Sequence, residues 1–219
     1  MTAATVITHC DDGSGSPGPA LLWRFARPVR AVSSAVLGGG LTDCAWILNA
    51  HVSLDYDRED PAEHLCELAK EQGLDPYAGI GLLTAASVER VASARDDGVH
   101  CDATVGLSYP TWAAAPDDLP LPPRRWRPGT INLVCQLPVR LSDAALVNAV
   151  ITATEAKTQA LLDADVPGTG TASDAIVICC PAAGVPEPYA GPRSDWGARL
   201  ARAVHAAVTG GTARYLAGA

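Results

Sequence analysis

Residues 128–181 decide the fold: PGTINLVCQL at 128–137, LSDAALVNAVITATEAKTQALLDADV at 141–166, then PGTGTASDAIVICC at 167–180 and Pro181. The first and last segments read as strands, the middle one as a long helix. A residue advances about 100° around a helix. With Leu146 as zero, Val150, Ala153, Ala160, Leu161 and Ala164 fall on one apolar face. Lys157 lands near ~20°, in the middle of that face, and Glu155 near ~180°, flanked by Ile151 and Leu162. An apolar stripe on each side predicts a helix sandwiched between layers. A stable core requires neither ionisable group.

The loop that follows, Gly168-Thr169-Gly170-Thr171-Ala172-Ser173-Asp174, puts three hydroxyls and a carboxylate between helix and strand. Its glycines leave amide N–H groups accessible, so it suits an anion or a developing oxyanion. It is not a phosphate-binding P-loop, because no Gly-Lys-Ser/Thr follows and it enters a strand. A polar turn that satisfies its own backbone is the plainer reading. A lysine that snorkels to water is the plainer reading of Lys157. Together they predict a lysine held by Asp174, an arrangement by which sites tune an acid or base.

Composition sets the outer limits. The chain has 219 residues, 48% hydrophobic and 18% charged, enough to bury a sizeable core in one domain. A net charge of −8 and a pI near 5.0 argue against nucleic acid or an anionic membrane as partner. No apolar run is long enough to span a bilayer, and the N-terminus lacks the pattern of a signal peptide. Seven cysteines without regular spacing read as reduced thiols, hence a cytoplasmic protein. Oligomeric state is not readable.

Outward from the central tract, Thr5–His9 and Leu21–Ala26 read as a hairpin within a variable N-terminal stretch, 1–30. Arg30–Val36, Trp46–Ser53, Tyr77–Thr84 and Cys101–Ser108 read as strands. Pro61–Gln72 is a helix opened by Asp60, Ser87–Arg95 a short helix, and Ser194 caps a last helix to Tyr215. Residues 110–128 form a proline-rich surface loop with Trp112 and Trp126, of the kind that serves as lid or binding loop. Strands and helices do not alternate strictly. The expected fold is therefore α+β: a layered sandwich of mixed sheet packed by the helices Pro61–Gln72, Asp143–Asp163 and Asp195–Tyr215, in a single domain over 1–219.

The segments WILNAHV, LLTAA, PGTINL, ALVNAVITATEAKTQAL, GTGTASDAIVI and YAGPRSDWGARLARAV, in this order, resemble the adenosylcobinamide amidohydrolases of corrinoid salvage. The resemblance runs from about Ala31 to Gly211 and is strongest over Gly129–Val204. It implies hydrolysis of the amide that joins aminopropanol to the corrin ring, giving adenosylcobyric acid. It also implies a cytoplasmic enzyme with a small-molecule corrinoid as substrate, no cofactor and no dissociable metal. By position it carries over Asn49, Thr84, Thr130, Asn132, Glu155, Lys157, Thr158, Thr169, Gly170, Thr171, Asp174, Gly191 and Ser194. Ser173 stands where many relatives have threonine. Tyr109-Pro110 stands where relatives often have a small or amide side chain, which bears on the substrate end.

Amide hydrolysis needs an activated nucleophile, donors for the oxyanion and an acid for the departing amine. A Gly-x-Ser-x-Gly elbow is absent, and His9, His51, His64, His100 and His205 are too scattered for a triad. His64 with Cys66 and His100 with Cys101 lack metal-ligand spacing, so no metal site is expected. The preferred catalytic set is Lys157 with Asp174 or Glu155, activating a water or the Thr171 hydroxyl. Asn49, Thr84, Asn132, Thr169, Gly170 and Ser194 are the expected substrate-binding residues, with the Asn132 amide and loop N–H groups on the oxyanion. A Cys135–Lys157–Glu155 set and a self-cleaving Thr130 are lesser options. A corrinoid-binding protein without catalysis, or an amidohydrolase of the same ancestry with another amide as substrate, are the competing functions.

Overall fold

The computed structural model describes residues 2–9, 11–116 and 129–218. Among them eight strands form one mixed sheet: β1 (Thr5–His9), β2 (Gly18–Ser33), β3 (Gly40–His51), β4 (Gly79–Thr84), β5 (Ala92–Asp96), β6 (Val99–Val105), β7 (Ile131–Gln136) and β8 (Ala175–Pro181). The order is β4-β3-β2-β8-β7-β6-β5, with β1 added alongside β2. Only β3–β4 and β7–β8 are parallel; the other pairs are antiparallel. Three helices complete the set: α1 (Pro61–Glu71), α2 (Asp143–Asp163) and α3 (Asp195–Ala217).

The sheet folds over on itself. The register between β2 and β3 shifts between Arg24 and Val29, where the long β2 passes from pairing β1 to pairing β8. Alternation along the strands then fills three apolar layers. Cys101, Ala103, Leu133, Cys135, Ile176 and Ile178 face α2 and α3. Val134, Val177 and Cys179, of opposite parity, pack on Leu21, Trp23, Ile47, Ile80 and Leu82 from the other half of the sheet. Ala20, Leu22, Trp46 and Leu48 lie under Leu65, Leu68 and Ala69 of α1. The expected α+β sandwich is present, built as helices, half-sheet, half-sheet, helix.

Several sequence-based boundaries need correction. Leu21–Ala26 and the first four residues of the expected strand Arg30–Val36 belong to a single strand that ends at Ser33, because the bend at Ala26–Pro28 does not break it. The helix expected over Ser87–Arg95 is a 3₁₀ turn at Val88–Arg90 followed by β5. The reason lies in Asp97 and Gly98, whose φ values of 37° and 92° make the left-handed corner of a β5–β6 hairpin. Asp60 precedes α1 without a side-chain cap; its carboxylate is held by Arg58 instead. Ser142 and Ser194 do cap α2 and α3, accepting from Ala145 N and Gly197 N.

The helix α2 is not sandwiched. Val147, Ile151 and Leu162 are 50%, 51% and 47% exposed, so its second apolar stripe faces outward. The proline-rich loop lies outside the described residues from 117 onward, Trp126 included. Its start, at Thr111, bridges Gly170.

Candidate active site

The N-terminal ends of β7 and β8 lie side by side, and α2 crosses above them with Lys157 turned inward. Lys157 is 6% exposed, and its ammonium meets Asp174 Oδ2 at the mouth of β8. The carboxylate is enclosed by three further donors. Ile131 N (2.9 Å) and the Thr171 hydroxyl (2.5 Å) reach Oδ1, and Thr171 N (3.1 Å) reaches Oδ2. Four donors hold such a carboxylate in one orientation. Gly170 makes room for the pair: a Cβ there would overlap both Asp174 Oδ2 and Lys157 Nζ.

A lattice of hydroxyls fixes the loop around it. Thr130 Oγ1 and Ser173 Oγ are 2.7 Å apart, and Ser173 also donates to Gly129 O at 3.1 Å. Thr158 on α2 donates to Thr169 O (3.2 Å). Thr169 N donates to Thr111 O and Thr111 N to Gly170 O, both at 2.8 Å, while Ala113 N donates to Thr169 Oγ1 at 2.9 Å. The loop of residues 168–174 is thereby stitched to the chain that leads into the proline-rich loop. Sequence reasoning did not find Thr111 and Ser173 as partners, because neither lies next to its partner in the chain.

Of the sequence-predicted residues, the structure brings together Lys157, Thr169, Gly170, Thr171 and Asp174. Asn49, Thr84 and Asn132 form a separate cluster buried between the half-sheets. Asn132 Nδ2 donates to Asn49 Oδ1 and Leu83 O, each at 2.9 Å, and Asn49 Nδ2 donates to Thr104 Oγ1 at 3.1 Å. Both Asn132 amide hydrogens are therefore engaged, and the expected role on the oxyanion has no free donor behind it. Thr84 Oγ1 accepts from Ala86 N. Ser194 is taken up by its cap and by Gly191 O. Glu155 is exposed and lines a cleft with Arg202 and His205, on the side of α2 turned to α3. It cannot serve the same reacting atom as Lys157.

The lesser options fare worse. Cys135 lies fully inside, where a contact with Cys101 Sγ (3.6 Å) and burial push its thiol well above its ordinary value. A thiol so held is a poor nucleophile. Burial holds the His51 imidazole below its ordinary value. Among the described residues no three His, Cys, Asp or Glu side chains are grouped to hold a metal ion. One buried polar cluster went unread in the sequence. Asp102 accepts from Ser93 Oγ (2.5 Å) and Trp23 Nε1 (3.0 Å), and lies 3.1 Å from His100 Nε2. Burial raises its carboxyl, but the donors outweigh that and hold it below the usual value. The signal was the alternation His100, Asp102, Thr104 in an otherwise apolar strand.

Comparison with known proteins identifies the family. The profile of the family "Adenosylcobinamide amidohydrolase" matches residues 4–218. The chain is 33% identical over 183 residues to an adenosylcobinamide amidohydrolase of Methanosarcina mazei, covering 80% of this chain and 85% of that one. It is 42% identical over 187 residues to an adenosylcobinamide amidohydrolase of Halobacterium salinarum, covering 84% and 80%.

Proposed function

The chain belongs to the adenosylcobinamide amidohydrolase family, and on that basis we propose that it cleaves the amide joining aminopropanol to the corrin ring of adenosylcobinamide. The products are adenosylcobyric acid and free aminopropanol, and the reaction consumes one water. The observation that carries the chemistry to one place is the pairing at Asp174. A hydroxyl donates to one carboxylate oxygen while a buried ammonium sits on the other.

In this reading Asp174 takes a proton from a water, or from the Thr171 hydroxyl, as that oxygen adds to the amide carbon. The C–N bond breaks, and Lys157 returns a proton to the departing amine nitrogen. If Thr171 is the nucleophile, an ester forms first and a water cleaves it, restoring the hydroxyl. Asn132 and Thr171 N are engaged elsewhere. The amides of Ala172 and Ser173, in exposed residues and with no hydrogen-bond partner among the described residues, are the donors assigned to the oxyanion. These groups supply base, acid and oxyanion donors, so the reaction needs no cofactor.

Six free cysteines among the described residues, and an acidic surface, support a cytoplasmic setting. No described helix is long and apolar enough to cross a membrane. The test is release of aminopropanol from adenosylcobinamide by the purified protein. Lys157→Met and Asp174→Asn are expected to lower kcat by about 10²–10⁴. Thr171→Ala distinguishes the nucleophiles: a comparable loss assigns the hydroxyl, and retained turnover assigns water. Near-normal rates in all three variants would move the chemistry elsewhere.

A further inference from the structure

A cleft of about 350 Å³ opens beside the candidate active site, walled by Ser87, Arg90, Gly106, Ser108, Arg214 and Tyr215. The two share a wall. Gly106 N donates to Thr130 O at 2.9 Å, and the backbone of Gly129 passes so close to Gly106 O that a Cβ would collide with it. The next residue, Ile131, donates its N–H to Asp174. A group lodged in the cleft is therefore one strand-end away from the Lys157–Asp174 pair.

Its chemistry is selective. The protein carries a net charge of −8, yet among the described residues the cleft is lined by two arginines and no acidic side chain. Arg214 is partly spent on the fold, donating through Nη1 to the carbonyls of Arg90 and Val91 and so pinning the Val88–Arg90 turn to α3. Arg90 is not spent. Its guanidinium lies against Gly218, where a Cβ would overlap it, and has no hydrogen-bond or ion-pair partner among the described residues. Around it stand the hydroxyls of Ser87, Ser108 and Tyr215, over an apolar floor that includes Leu54, Ala86 and Val105. A guanidinium offers donors only, and hydroxyls both donate and accept. This set fits a ligand with a carbonyl oxygen, an amide N–H and a short aliphatic stem. It disfavours an ammonium, which would meet Arg90. The volume is too small for a corrin macrocycle but ample for one of the primary carboxamide arms on its rim.

We propose that this cleft docks a carboxamide arm of the corrinoid, with Arg90 donating to its carbonyl oxygen, and so sets which amide of the rim reaches Lys157–Asp174. The proposal rests on the amidohydrolase reading, and the two fail differently. If the wild-type protein releases no aminopropanol, the function is wrong. If it does, Arg90→Met decides the cleft. Losing a charged donor that acts equally on bound substrate and transition state should raise KM about tenfold and leave kcat within about twofold. Ser108→Ala should move KM the same way by a smaller factor. Adenosylcobinamide titrated into the Lys157→Met protein, with and without Arg90→Met, should show the same tenfold loss of affinity without turnover. An unchanged KM and an unchanged dissociation constant would overturn the proposal, as would a loss confined to kcat.

Discussion

At the scale of single residues, Lys157 and Asp174 are an unequal pair. Asp174 has four donors, of which Lys157 is one; Lys157 has Asp174 as its hydrogen-bonded partner. Removing the lysine leaves the carboxylate with Ile131 N, Thr171 N and the Thr171 hydroxyl. Removing the carboxylate strands a buried ammonium and releases three donors at once. Asp174→Ala should therefore cost about 3–5 kcal/mol of stability, and Lys157→Met about 1–2 kcal/mol. Urea denaturation of the two variants checks the ranking, and equal losses would mean that Lys157 reaches water on its own. The lysine was legible in the sequence because a charge in mid-face on a helix has few explanations. The engaged state of Asn132 and Ser194 was not, since a motif names residues without saying which of their hydrogen bonds the fold has already used.

At the scale of elements, β6 shows why a strand can carry more than its periodicity suggests. Val99, Cys101 and Ala103 turn to the helices, while His100, Asp102 and Thr104 turn into the space between the half-sheets. The folding-over that makes that space depends on the bend in β2, and no local pattern announces it. The same limit hid β5: the pattern over Ser87–Arg95 predicts a short helix, while the Asp97-Gly98 corner just beyond it turns a hairpin. The outer stripe of α2 misled in the opposite direction: it is apolar by sequence and exposed in the fold. A pH dependence follows from Asp102. Its carboxyl is held below the usual value in the folded state, so its stabilising contribution is complete above the unfolded value, about 3.9. It is lost as pH falls through the lower folded value. Asp102→Ala should destabilise by about 3 kcal/mol at pH 7, and the gap to wild type should narrow below about pH 4. Denaturation midpoints at pH 7, 5 and 3 measure this; a constant gap would show that the Asp102 charge contributes nothing.

At the scale of the whole molecule, the question is whether a sheet folded on itself opens as one unit. Its thiols are placed to answer. Cys101, Cys135 and Cys180 lie in the layer under α2 and α3, Cys179 lies between the half-sheets, and Cys44 sits where β3 enters the same inner cluster. Burial pushes Cys44 up to about 12, and it holds Cys179 well above its ordinary value. All five are at most 2% exposed, so a reagent in solution reaches none of them until the surrounding layer opens. Cys66, half-buried on α1, is the contrast. The strand β2 belongs to both half-sheets and β8 contributes to two of the three apolar layers, so neither half keeps its packing if the other leaves. Pulse labelling with a thiol reagent across a urea series, read by peptide mass, should find Cys66 labelled early. The five buried cysteines should then appear together in one transition, as cooperative unfolding of a single domain requires. Labelling of Cys44 and Cys179 at lower urea than Cys101 and Cys135 would mean that the inner layer opens first, and that the bend in β2 is a hinge between two separately stable parts.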